Sequence, residues 1–130
     1  MKYQPLGRTG IELPVLSLGT WAIGGWCWGG SDDTESIRTI REAIELGVTA
    51  IDTAPIYGFG HAEKLVGKAI EERRKRVTLM TKVGLRWDDP RGQVAFDTVD
   101  ARGRELRVRR NSRPDSVKWE VERSLERLKV

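Results

Sequence analysis

Three side chains that together can move a proton fall near the ends of predicted strands. Asp52 lies in the strand predicted over residues 50–54, Tyr57 follows in the next turn, and Lys82 ends the strand that begins at Val77. Ligands of parallel α/β folds bind at the carboxyl ends of the strands. We therefore expect a carboxylate, a phenol and an ammonium to converge on one rim of a parallel sheet.

The chemistry that suits these groups is proton donation. A free tyrosine has a pKa of about 10, and a nearby ammonium stabilises the phenolate and lowers that pKa. The pattern therefore predicts Tyr57 as proton donor, Lys82 as the group that tunes it, and Asp52 as the partner of Lys82. Spacing alone leaves a second interpretation open, in which Asp52 caps a helix and Lys82 is merely solvated.

The elements that must position these residues alternate along the chain. A hairpin, residues 2–14, is followed by strand–helix units over 15–130, which favours a parallel sheet with right-handed crossovers. The pattern does not decide between an open doubly wound sheet and an arc of a barrel. The expected strands are residues 15–21, 50–54 and 77–83. The expected helices begin after Asp32 and near Ala62 and Pro114, the last with Val117, Val121, Leu125 and Leu128 on its inner face.

Residues 85–113 interrupt the alternation as a long, arginine-rich loop. Within it, Val94–Phe96 and Leu106–Val108 are expected to pair as a hairpin. Six arginines fall in twelve residues, which is compatible with a nucleic-acid surface, but there is little aromatic interleaving. We therefore favour a solvated hairpin and expect no nucleic-acid partner. The arginines are Arg102, Arg104, Arg107, Arg109, Arg110 and Arg113.

Composition restricts the class of protein. The chain has 130 residues, a net charge of +4, 38% hydrophobic residues and the single cysteine Cys27. This predicts one globular domain without an internal disulfide. No apolar run suggests a signal peptide or a membrane span, so a cytoplasmic protein with no membrane partner is expected. We predict no metal site.

Several segments together resemble the aldo-keto reductases. These segments are Leu6–Gly10, Leu18–Trp21, Ala50–Glu63, Thr81–Gly84 and Arg113–Ser116. The resemblance implies the amino-terminal part of a (β/α)8 barrel, and a reaction in which NADPH gives a hydride to an aldehyde or ketone. It also implies that Asp52, Tyr57 and Lys82 are three members of the family's catalytic tetrad. Thr20, Trp21 and Asp52 match cofactor positions.

Two further expectations concern the pocket and the extent of the chain. Tryptophans on the predicted rim, Trp21, Trp26, Trp28 and Trp87, either form the wall of a substrate pocket or simply pack the loops. The tetrad's histidine follows a fourth strand in the family, and His61 does not match it; a helix-end contact is expected for His61. The chain is therefore interpreted as a partial barrel domain. We expect it to be inactive alone, and to self-associate or require a complementing carboxyl-terminal half. The alternative is a non-catalytic nucleotide-binding or inert module.

Overall fold

A three-stranded parallel sheet forms the centre of the molecule. A computed structural model describes all 130 residues, Met1–Val130. The strands are β3 (Ser17–Gly19), β4 (Ala50–Asp52) and β5 (Thr78–Met80), with β4 in the middle. Gly19, Asp52 and Met80 are in register at one edge, so Asp52 ends its strand two residues before the predicted end. The strands are shorter than expected, and three of them do not close into a barrel.

One helix follows β3, a second follows β4, and both cover the parallel sheet. They are α1 (Asp33–Glu45) and α2 (His61–Ile70). The Asp32 carboxylate caps α1 by accepting a 2.7 Å hydrogen bond from the backbone N–H of Glu35. Apolar side chains at helical spacing then form the core between the two helices and the sheet. This core consists of Ile40, Ile44, Ile51, Val66, Ala69, Ile70, Val77 and Leu128.

The third helix, α3 (Pro114–Leu128), buries a different face from the one that was predicted. Of the four residues expected on its inner face only Leu128 is buried, whereas Val121 and Leu125 are exposed. The buried positions are instead Ser116, Glu120, Ser124 and Leu128. The predicted face was wrong because α3 packs through hydrogen bonds rather than through an apolar stripe.

Two antiparallel units flank this layer. The first is the predicted amino-terminal hairpin of β1 (Tyr3–Pro5) and β2 (Glu12–Pro14). The second is a sheet of β6 (Leu85–Arg86), β7 (Gln93–Val99) and β8 (Glu105–Arg110), in the order β6-β8-β7. The predicted pairing within residues 85–113 is confirmed, since Phe96 lies opposite Val108. Calling the whole segment a loop was wrong, because seven- and six-residue strands and the short β6 occupy much of it.

Buried polar contacts hold the second unit to α3. The Arg86 guanidinium is nearly fully buried and donates to Asp88 at 2.7 Å and to Ser116 at 2.8 Å. It also lies 4.0 Å from the centroid of the Trp119 ring, a cation–π contact. Outward-facing arginines pair with aspartates instead, as Arg107 does with Asp97 at 2.7 Å. None of the helices is both long and apolar enough to cross a bilayer.

Candidate active site

Asp52 and Lys82 meet at the carboxyl edge of the parallel sheet. Lys82 lies two residues beyond β5, and its ammonium donates to Oδ1 of Asp52 at 2.6 Å and to the backbone oxygen of Thr53 at 3.1 Å. The lysine side chain is 49% exposed and the aspartate side chain 35%. The pair therefore stands open at the rim, and Lys82 is held by a charge partner rather than left solvated.

Tyr57 shares this rim with Lys82. It lies in the turn that follows β4, and the Lys82 ammonium is 5.0 Å from the centroid of its ring. Partial burial lowers the pKa of Lys82, but the hydrogen bond to Asp52 and the nearby Tyr57 outweigh that effect, and the net pKa is raised. Lys82 therefore remains an ammonium throughout the neutral range.

Close backbone approach fixes the Tyr57 turn. Gly58 has a φ of +63°, and a Cβ on it would overlap the carbonyl oxygen of Gly24. A Cβ on Gly24 would in turn lie 2.7 Å from the carbonyl carbon of Tyr57. Glycine at both positions therefore lets the loop after β3 lie directly against the turn that carries the phenol.

That loop places two tryptophans beside the phenol. Trp21 stacks on Tyr57, with ring centroids 6.0 Å apart and planes 17° from parallel. Trp28 meets the edge of Trp21, also at 6.0 Å. Both indoles are about half exposed. Of the four tryptophans predicted for a pocket wall, these two line the rim next to Tyr57.

The other two tryptophans lie in a separate aromatic cluster. Trp26 and Trp87 each make an edge-to-face contact with Phe59, with centroid distances of 5.3 and 5.5 Å. The indole N–H of Trp26 donates to Thr98 on β7 at 3.0 Å. Trp26 and Trp87 thus connect the loop after β3 to the second antiparallel sheet.

Thr20 and His61 make local contacts. Thr20 is fully buried, and its hydroxyl donates to the backbone oxygen of Asp52 at 3.1 Å. It thus ties the end of β3 to the end of β4. His61 begins α2 and contacts the carboxylate of Asp33 at 2.7 Å, the helix-end contact that was expected. No three histidine, cysteine or acidic side chains lie together in a way that would bind a metal ion.

Two buried carboxylates near Lys82 were missed by the sequence reasoning. Glu63 accepts from the Thr81 hydroxyl at 2.8 Å, and Glu120 accepts from the backbone N–H of Gly84. Glu63 lies on the apolar face of α2, three residues before Val66 and seven before Ile70. An acidic residue in such a stripe was the available signal, because a buried carboxylate needs a partner.

Comparison with known proteins places the chain in a family. The model of the aldo/keto reductase family matches residues 15–130. The chain belongs to the aldo/keto reductases. It is 42% identical over its whole length to the NADH-specific methylglyoxal reductase of Escherichia coli, of which it covers 39%.

Solved aldo/keto reductases confirm the predicted fold class. The chain aligns over its whole length with aldo-keto reductase AKR11C1 from Bacillus halodurans, at 31% identity and a TM-score of 0.80. It aligns over 92% of its length with an aldo/keto reductase from Klebsiella pneumoniae in complex with NADP and acetate, at 27% identity and a TM-score of 0.61. It covers 37% and 32% of those chains, so it corresponds to part of their barrel.

Proposed function

We propose that this chain carries the proton-donating part of an aldo/keto reductase that uses a nicotinamide cofactor, NADPH in our assignment, to reduce an aldehyde or ketone to an alcohol. The observation that carries the proposal is the 2.6 Å contact between Lys82 and Asp52, made beside the ring of Tyr57. Such a contact keeps a cation next to a phenol at an open rim.

Each of the three residues has a distinct task in this proposal. Tyr57 donates its proton to the carbonyl oxygen of the substrate as that oxygen gains charge. Lys82 stabilises the phenolate that remains, since an opposite charge favours the ionised form of its neighbour. Asp52 keeps the ammonium in place and charged, and the Thr53 carbonyl oxygen fixes its direction. General acid catalysis of this kind contributes about 10²–10⁴-fold to rate.

The rim has groups that suit the nicotinamide end of the cofactor. The exposed indole of Trp21 offers an apolar surface beside Tyr57, and Asp52 offers a carboxylate oxygen for a polar substituent. The buried hydroxyl oxygen of Thr53, next to Asp52, has no hydrogen-bond partner. We assign cofactor contacts to Trp21 and Asp52, with Thr20 supporting the strand end. When bound, the nicotinamide supplies the hydride.

Substrate contact is assigned to the two exposed tryptophans beside Tyr57. Trp21 and Trp28 form a corner of edge-to-face indoles next to the phenol. Flat apolar walls of this kind suit a small carbonyl compound, and they leave the polar group of the substrate to Tyr57. The relative from Escherichia coli is a methylglyoxal reductase, so methylglyoxal is the first substrate to test. A cytoplasmic location is part of the same proposal.

The chain spans about two fifths of that relative, so the reaction is proposed for a whole enzyme in which residues 1–130 form a partial barrel domain. The test is a chimera in which this chain replaces the matched segment of the Escherichia coli reductase. We expect the folded chimera to reduce methylglyoxal. The reaction is measured as the loss of nicotinamide absorbance, with NADPH and NADH tested in parallel. A folded chimera that binds cofactor but reduces no carbonyl compound would overturn the proposal.

The chain alone gives a second measurement. We expect it to show no turnover with NADPH and a simple aldehyde, and robust turnover would contradict that expectation. Titration of nicotinamide fluorescence then separates the alternatives. Binding without turnover favours a nucleotide-binding module, and absence of binding favours an inert one.

A further inference from the structure

The segment that carries Lys82 leaves the sheet before it reaches the rim. Strand β5 ends at Met80, and residues 81–83 take part in no backbone–backbone hydrogen bond. The position of Lys82 is therefore not set by the sheet. It depends on the side chains that hold the residues on either side.

The first of these contacts comes from α2. Glu63 is fully buried, and its Oε1 accepts from the hydroxyl of Thr81, the residue directly before Lys82, at 2.8 Å. Its Oε2 accepts from Nε of Arg127 on α3 at 2.6 Å. A buried carboxylate is costly unless it is paired and hydrogen-bonded, so this geometry fixes Glu63 and, through it, Thr81.

The second contact comes from α3. Glu120 is 2% exposed, and both of its oxygens lie 3.0 Å from the backbone nitrogen of Gly84, two residues after Lys82. The carbonyl oxygen of Gly84 accepts in turn from the backbone N–H of Asn111 at 3.0 Å. The chain is thus held on both sides of Lys82 by carboxylates from two helices.

We propose that Glu63 and Glu120 are positioning residues for Lys82, acting through Thr81 and Gly84. We call these two residues the carboxylate clamp. The inference rests on the proposed function, in which Lys82 must stay beside Tyr57. Lysine has a long, flexible side chain, so a fixed backbone is what lets its ammonium reach Asp52. Small misplacements of catalytic groups have large effects on rate.

The test measures Lys82 directly in the full chain and requires no turnover. Only the neutral amine reacts with an acetylating reagent, so an ammonium held by Asp52 reacts slowly. Peptide mass spectrometry gives the acetylation rate of Lys82 relative to that of the exposed Lys2 as an internal reference. The rate is measured across the alkaline range, because a displaced ammonium changes its pH profile as well as its rate at one pH.

Two variant pairs test the clamp. Thr81→Val keeps the shape of the side chain but removes the hydroxyl, whereas Thr81→Ser retains it. Glu120→Met removes the acceptor for Gly84, whereas Glu120→Gln retains one. We expect the reagent to acetylate Lys82 about threefold to tenfold faster in Thr81→Val and in Glu120→Met than in the parent chain. This is the range that one lost hydrogen bond allows. The second member of each pair restores the slow rate. Circular dichroism shows whether each variant is folded. If a member of one pair is unfolded, the other pair alone tests the clamp.

Asp52→Asn separates failure of the clamp from failure of the proposed function. If Asp52→Asn accelerates acetylation but folded Thr81→Val and Glu120→Met leave it within about twofold of the parent, a difference smaller than one lost hydrogen bond predicts, the clamp is overturned and the proton-donor site stands. If Asp52→Asn does not change the acetylation rate of Lys82, the contact between Asp52 and Lys82 supports neither the clamp nor the proposed function.

Discussion

Replacing Arg127 with methionine isolates a carboxylate that the fold has buried completely. Glu63 is 0% exposed, and its 2.6 Å contact with Arg127 is a salt bridge in which the arginine is only 15% exposed. Methionine fills a similar volume but leaves Glu63 with the Thr81 hydroxyl as its remaining partner. Breaking a buried pair by removing one member costs about 3–5 kcal/mol.

That cost is large enough to measure by urea unfolding. With a typical m-value of about 2 kcal/mol/M, the midpoint of Arg127→Met should fall by about 2 M. The matched control is Arg107→Met, which breaks the exposed pair with Asp97 and should leave the midpoint unchanged within error. In the double variant Glu63→Gln/Arg127→Met the isolated charge is gone, and we expect recovery of at least about 1 kcal/mol.

Two outcomes would contradict this prediction. If Arg127→Met shifts the midpoint no more than Arg107→Met does, Glu63 is not held as a buried ion in the folded chain. If the double variant is less stable than Arg127→Met alone, the loss comes from side-chain packing and not from an unpaired charge.

Three further predictions concern other parts of the molecule. Gly58→Ala should cost more than about 2 kcal/mol in urea unfolding, since it adds overlap with Gly24 to the strain of a positive φ; Gly103→Ala, which has a φ of +76° and open space around it, should cost clearly less. Burial raises the pKa of Glu120, so the parent should lose stability as the pH rises from about 4.5. Glu120→Gln should lose less stability over the same pH range, because its amide does not ionise; an unchanged pH dependence would contradict this. Thr98→Val leaves the Trp26 N–H without its acceptor and should destabilise by about 1 kcal/mol, with faster amide exchange in β7 and β8; Thr98→Ser is the control, and equal exchange in both would exclude a role for this bond.

The sequence was most informative where local chemistry decides structure. Asp32 before α1 and the apolar spacing in α2 predicted those helices, because capping and periodicity are local properties. The sequence also predicted that Asp52 and Lys82 meet at one edge, since their strands are parallel neighbours. It did not predict that β5 ends at Met80, two residues before Lys82. Tertiary contacts decided the rest.

Helix α3 shows why the buried face of a helix could not be predicted from the sequence. Its apolar positions, such as Val121 and Leu125, have helical spacing, yet Glu120 and Ser124 face inward. The inward side is chosen by hydrogen-bond partners elsewhere in the chain, such as the Gly84 backbone N–H. Spacing within one helix does not reveal those partners, and for the same reason the carboxylate clamp was not predicted.

Tyr57 is the proposed proton donor, and its role can be tested against a matched control because Tyr3 is the one other tyrosine of the chain. The measurement is the kcat of methylglyoxal reduction by the chimera carrying Tyr57→Phe, with Tyr3→Phe as the matched control. We predict that Tyr57→Phe lowers kcat by about 10²-fold or more with little change in cofactor affinity, and that Tyr3→Phe leaves kcat unchanged. A Tyr57→Phe chimera that turns over at the rate of its parent would contradict the central claim.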